Sequence, residues 1–139
     1  MKFSLEWLLN IRQNELSSIE LELMSINSSI SDNLAMQESN NNSISKFQSQ
    51  LYDCCETWKI SSVIRSIENL ETVNFKLQED LNFLLKDKEM ILNRYNKKHT
   101  EIKLLEKSKS NFLTKEKERI SKKEQAEIHE LSLITRKEN

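Results

Sequence analysis

The stretch YDCCETWKISS, Tyr52 to Ser62, separates two long helical patterns that do not share a register. Upstream, apolar residues recur at alternating spacings of three and four. One series is Leu9, Leu16, Leu23, Ile30, Gln37, Ile44 and Leu51; the interleaved series is Arg12, Ile19, Ile26, Asn33, Asn40, Phe47 and Cys54. Such a heptad places one apolar seam on one face of a helix. Downstream, a second heptad runs through Leu70, Leu77, Leu84, Ile91, Lys98, Leu105 and Phe112. Its companion series is Ile67, Asn74, Leu81, Lys88, Tyr95, Ile102 and Lys109. Val73, Leu85, Leu92, Leu104 and Leu113 widen this second stripe, which suits contact with more than one surface.

A rival turn is SNNNS, Ser39 to Ser43, because asparagine and serine tolerate turn conformations. The first register nevertheless continues past it through Ile44, Phe47 and Leu51, so the break at Tyr52–Ser62 is favoured. Asp53 or Thr57 is then the candidate cap of the second helix. The expected fold is all-α: a long antiparallel two-helix coiled-coil hairpin forming a single domain over residues 1–139. Its first helix covers about residues 2–52, its turn about 53–58 and its second helix about 59–136. A helix of about 50 residues spans roughly 75 Å, and equal rise in both arms puts residue 3 opposite about residue 109. The second helix then outruns the first beyond Phe112. The polar seam residues Asn33, Gln37 and Asn40 cost stability but fix register.

Composition narrows the function. The chain has 139 residues and contains no glycine and no proline. Neither a dinucleotide fingerprint nor a P-loop can be written without glycine, so nucleotide binding by those routes is excluded. Net charge is -1, which offers no whole-chain attraction to nucleic acid or membrane. No apolar run approaches the roughly 18 residues of a membrane span. The opening MKFSLEWLLNIRQNE is broken by Glu6, Asn10 and Arg12 and lacks a small-residue cleavage site, so it does not read as a signal peptide; a cytoplasmic protein is expected.

Charge is uneven along the chain. Residues 97–123 hold ten Lys or Arg and four Glu, a balance of +6. This is either a solvated helix face with i,i+4 pairs or a docking surface for an acidic protein. Nucleic acid is disfavoured because no aromatics are interleaved with the lysines. Cys54 and Cys55 are adjacent, a poor geometry for a disulfide, and read as reduced thiols, with a vicinal redox switch or soft-metal site as the alternative. Trp7 and Trp58 are expected to anchor the two ends of the hairpin, or else to serve as exposed anchors for a partner.

The run EQAEIHEL, Glu124 to Leu131, gathers three glutamates and His129. On a helix Glu127 and His129 lie about 160° apart, Glu124 and His129 about 140°, and His129 and Glu130 about 100°. Helical metal pairs need i,i+3 or i,i+4 spacing, and His129 finds Gln125, Ala126, Ser132 and Leu133 there. No metal site, catalytic residue or cofactor is therefore expected, and a two-helix hairpin leaves no interior for a small-molecule substrate.

Two end segments resemble the FliJ family, coiled-coil stalk proteins of flagellar and type III export. FSLEWLLNIRQNE, Phe3 to Glu15, is similar to the family's opening: an aromatic, spaced leucines, then Arg and Glu. RISKKEQAEIHELSLITR, Arg119 to Arg136, resembles its closing segment through Glu124, Gln125, Ile128, Glu130 and Leu131. The sequence departs from that pattern at His129, where the family usually has an acid, and at Ala126, where it often has a basic residue.

The resemblance implies a fold like the coiled coil of the rotary ATPase gamma subunit, and a protein that is not an enzyme. It implies three partners: a hexameric export ATPase (FliI-like), a membrane export gate (FlhA-like) and export chaperones. The implied location is the cytoplasm, peripherally at the cytoplasmic face of the inner membrane. Carried onto this chain, the ATPase contact falls on Phe3, Leu5, Leu8, Leu9 and Arg12 in the opening segment. In the closing segment it falls on Arg119, Ile120, Gln125, Ile128, Glu130 and Leu131. The gate contact falls on Val63, Ile64 and Ile67, of which Ile67 reads equally well as a seam residue. A homodimeric coiled-coil scaffold or general chaperone with no ATPase partner is the competing expectation.

Overall fold

The computed structural model describes residues 3–53 and 56–138. It is an all-α hairpin of two helices packed against each other, α1 (Glu6–Asp53, 48 residues) and α2 (Thr57–Glu138, 82 residues). With no glycine and no proline, nothing in the composition interrupts either helix. Glu6 sits in the first turn of α1, where a negative charge complements the helix dipole. The polar residues of both helices are accommodated by back-bonding. Ser17 Oγ donates to Gln13 O at 3.1 Å and Thr72 Oγ1 to Glu68 O at 2.9 Å, each four residues upstream.

The break falls inside the favoured stretch. Glu56 holds the cap position, and its carbonyl accepts the Ile60 N–H at 3.1 Å; Thr57 is already helical. Cys54 and Cys55 lie outside the described residues. Ser39 to Ser43, the rival turn, is interior to α1.

The chain divides into two compact units, Met1–Ser17 with Asn96–Asn139, and Ser18–Tyr95. In each, α1 and α2 run antiparallel. Within the first unit, Glu6 meets Lys109 and Glu15 meets Lys98. Phe3 meets Phe112, three residues beyond the position expected from equal rise, with ring centroids 5.8 Å apart. Within the second, Glu22 pairs with Arg94 and Asn40 with Asn74. In both, contacts later in α1 fall earlier in α2, as antiparallel packing requires.

The seam is the expected one. Leu9 (4% exposed), Ile19 (3%), Leu81, Ile102 and the polar Asn33 are buried, and the other described seam positions are half-buried. Two-helix packing cannot bury more, because each helix meets only one neighbour. The second unit carries a polar layer in its seam. Asn33 is 7% exposed, and its Nδ2 donates to Leu77 O at 2.8 Å. Gln37 Nε2 donates to Asn33 Oδ1 at 2.7 Å. Asn74 accepts from Asn40 at 2.9 Å and donates to Asn41 at 2.9 Å. Of the asparagines of the rival turn, Asn40 belongs to the seam and Asn41, exposed at its edge, shares the Asn74 amide with it; these hydrogen bonds offset the cost of a polar seam position. No described helix is long and apolar enough to cross a membrane.

Trp7 and Trp58 do not anchor the hairpin: they are 60% and 68% exposed. Trp7 lies two residues before the seam residue Leu9, a rotation of about 160° that turns it away from α2. Trp58 instead carries Lys59, whose Nζ lies 5.5 Å from the ring centroid.

Candidate interaction surface

Both segments that carry the family resemblance lie in one compact unit, Met1–Ser17 with Asn96–Asn139. The opening residues are largely consumed by the hairpin itself. Leu9 is buried, Leu8 and Phe3 are half-buried, and Leu5 is partly exposed.

Arg12 enters a four-charge cluster. Its Nη1 donates to Glu15 Oε1 at 2.9 Å, and its Nε lies 3.1 Å from Glu101 Oε2. Lys98 Nζ lies 2.6 Å from Glu15 Oε2 and 3.7 Å from Glu101 Oε2. Lys98 is the nearer of the two cations to the Glu15 carboxylate. Lys98 and Arg12 together hold the Glu15 carboxyl below the usual carboxylate range. Two cations and two carboxylates compensate each other, so the cluster fastens the helix ends and leaves little charge for a partner.

Beyond Phe112 the seam register becomes polar: Glu116, Arg119 and Lys123 take the positions that apolar residues hold earlier. α2 continues as an arm, residues 113–138, whose described side chains are nearly all exposed. The arm is not featureless. Leu113, Ile120, Ile128, Leu131 and Ile134 are exposed, and steps of about 100° per residue place them within about 60° of one line. This is a stripe of helical period, rotated away from the hairpin seam. At its start, Leu9, Leu113 and Ile120 line an open groove of about 730 Å³ edged by Lys109 and Lys117.

The proposed ATPase contacts on the arm sort onto different faces. Ile120, Ile128 and Leu131 share the apolar stripe. Arg119 and Glu130 lie together about 100–120° to one side, and Gln125 about 120° to the other. Arg119 pairs with Glu116 one turn back at 3.1 Å. Leu113, which the heptad places beside the seam, and Ile134, which lies beyond it, join this new stripe. The signal was present in the spacing of 113, 120, 128, 131 and 134, which fits a period of 3.6 better than a heptad.

In the second unit the proposed gate residues also divide. Val63 and Ile67 are half-buried seam residues, whereas Ile64 is exposed. Val63 reaches the edge of a hollow of about 500 Å³ that includes Gln50, Asp53, Trp58 and Lys59. Tyr52 and Trp58, flanking the turn, are both exposed.

Glu124, Glu127, His129 and Glu130 are exposed on the arm and distributed around it. Among the described residues, no three His, Cys, Asp or Glu side chains converge as metal ligands would. No family model matches the chain, and no curated protein or solved structure matches it.

Proposed function

We propose that this protein is a non-enzymatic stalk and escort of a flagellar or type III export apparatus, of the kind the FliJ family represents. In this reading it binds and activates the hexameric export ATPase, links it to the membrane export gate and handles export chaperones. It does so from the cytoplasm, peripherally at the inner membrane. The observation that carries the reading is the arm: an amphipathic continuation of α2 with an exposed apolar stripe, in the same compact unit as both resembling segments. An isolated helix of this kind gains little from its own sequence and is stabilised by packing its apolar face against another surface. A ring-shaped partner offers such a surface. Ile120, Ile128 and Leu131 would make the apolar contact, with Arg119 and Glu130 flanking it.

For the gate, Ile64 is the exposed member of the proposed trio and the strongest candidate contact. Co-migration with the cognate export ATPase on a sizing column tests the reading. A complex that weakens as salt rises is expected, because residues 97–123 carry a balance of +6. Absence of any complex at low salt would contradict it.

A further inference from the structure

The arm's charges are segregated. Residues 113–123 hold five basic and two acidic residues, a balance of +3; residues 124–134 hold three acidic residues and no Lys or Arg, a balance of -3. The two blocks are equal in length and together span the apolar stripe from Leu113 to Ile134; Arg136, Lys137 and Glu138 lie beyond it. Turned end over end about the midpoint of the stripe, near residues 123 and 124, this segment presents a pattern complementary to itself.

We propose that the arms of two copies of this chain pair antiparallel through this stripe, forming a two-fold dimer that leaves each hairpin intact. The inference does not rest on the export reading. Reversing the direction about that midpoint brings Leu113 of one copy level with Ile134 of the other, and Ile120 level with Glu127 and Ile128. Beside the stripe, Arg119 and Lys123 share one flank with Glu127 and Glu130, since all four lie about 40–120° to the same side of it. In antiparallel helices equivalent flanks face each other, so the basic pair of each copy meets the acidic pair of the other. Parallel pairing would set this flank against the opposite one, so these four residues would not meet and their cross-pairs would be lost. The contact is isologous, so every cross-pair occurs twice. None of the stripe residues is needed by the hairpin, because all five are exposed in the single chain.

The test is sedimentation equilibrium of the full chain, with two charge-reversed variants. One is Arg119→Glu with Lys123→Glu; the other is Glu127→Lys with Glu130→Lys. The wild-type chain is expected to dimerise at about 100 µM or below, with a dissociation constant that rises with salt. Each variant alone should bind itself about tenfold or more weakly, since each reverses four cross-pairs. Mixing the two should restore association as a heterodimer, because opposite charges then face again. Circular dichroism confirms that both variants keep their helix content. A wild-type chain that is monomeric at about 100 µM overturns the proposal and leaves the stripe to a different molecule. So does a dimer that survives both reversals, or one that survives removal of residues 113–139.

Discussion

At the scale of single residues, burial and charge divide the labour unevenly. Ile19, 3% exposed, has few alternatives for its side chain. Ile19→Ala should cost about 2–5 kcal/mol in chemical denaturation. Trp7→Ala, at an exposed position, should cost about 0.5 kcal/mol or less. Glu15 behaves differently because its contribution depends on pH. Its folded pKa lies below the ordinary value of 4.5, so the carboxylate stabilises the fold fully above that value. The contribution is lost as pH falls through the lower folded value. Glu15→Gln should therefore melt at a lower temperature than wild type at neutral pH, and the gap should narrow as pH falls below 4.5. A gap independent of pH would mean that packing, not charge, makes the difference.

Residue by residue, the sequence revealed the seam but not its cross-pairs. Leu9, Ile19, Leu81 and Ile102 were all in the heptad series and all are buried. Heptad phase also contained the answer for Trp7, which it places off the seam; residue size alone suggested an anchor. The cluster of Arg12, Glu15, Lys98 and Glu101 required knowing which residues of α2 lie beside the start of α1. No local pattern encodes that.

At the scale of elements, the polar layer and the arm have opposite roles. Asn33 and its neighbours were legible as polar seam positions, and the run Ser39 to Ser43 was the one place where composition argued for a turn. The run stays helical because Asn40 and Asn41 have a partner in Asn74, a long-range contact that propensity does not see. A polar seam layer trades stability for a single register. Asn33→Leu should raise stability by about 1 kcal/mol in denaturant unfolding and admit additional registers, seen as doubled amide resonances around Leu77. A stability loss would show that the Leu77 carbonyl contact matters more than the gain in apolar burial. For the arm the expectation is dynamic. In the single chain, at concentrations well below those at which the arms pair, amides of residues 117–136 should exchange with solvent much faster than those near Leu81 and Ile102, because tertiary packing supplies most helical stability. Equal protection across α2 would contradict an unpacked arm.

For the molecule as a whole, two features stand together: a hairpin with a polar layer, and an arm with an exposed apolar stripe. The hairpin was readable from its two heptads and the mismatch between them at Tyr52–Ser62. The arm's stripe is present in the sequence but falls off the heptad, because the hydrophobic period changes from heptad to helical just where the first partner ends. In the proposed export reading, the arm acts on a partner ATPase while the hairpin folds without it. Steady-state ATP hydrolysis by the cognate export ATPase, titrated with the full chain and with a chain ending at Phe112, tests this. The full chain is expected to stimulate hydrolysis and the shortened chain is not, although its melting temperature should be nearly unchanged. Equal stimulation by both chains, or none by either, would contradict it.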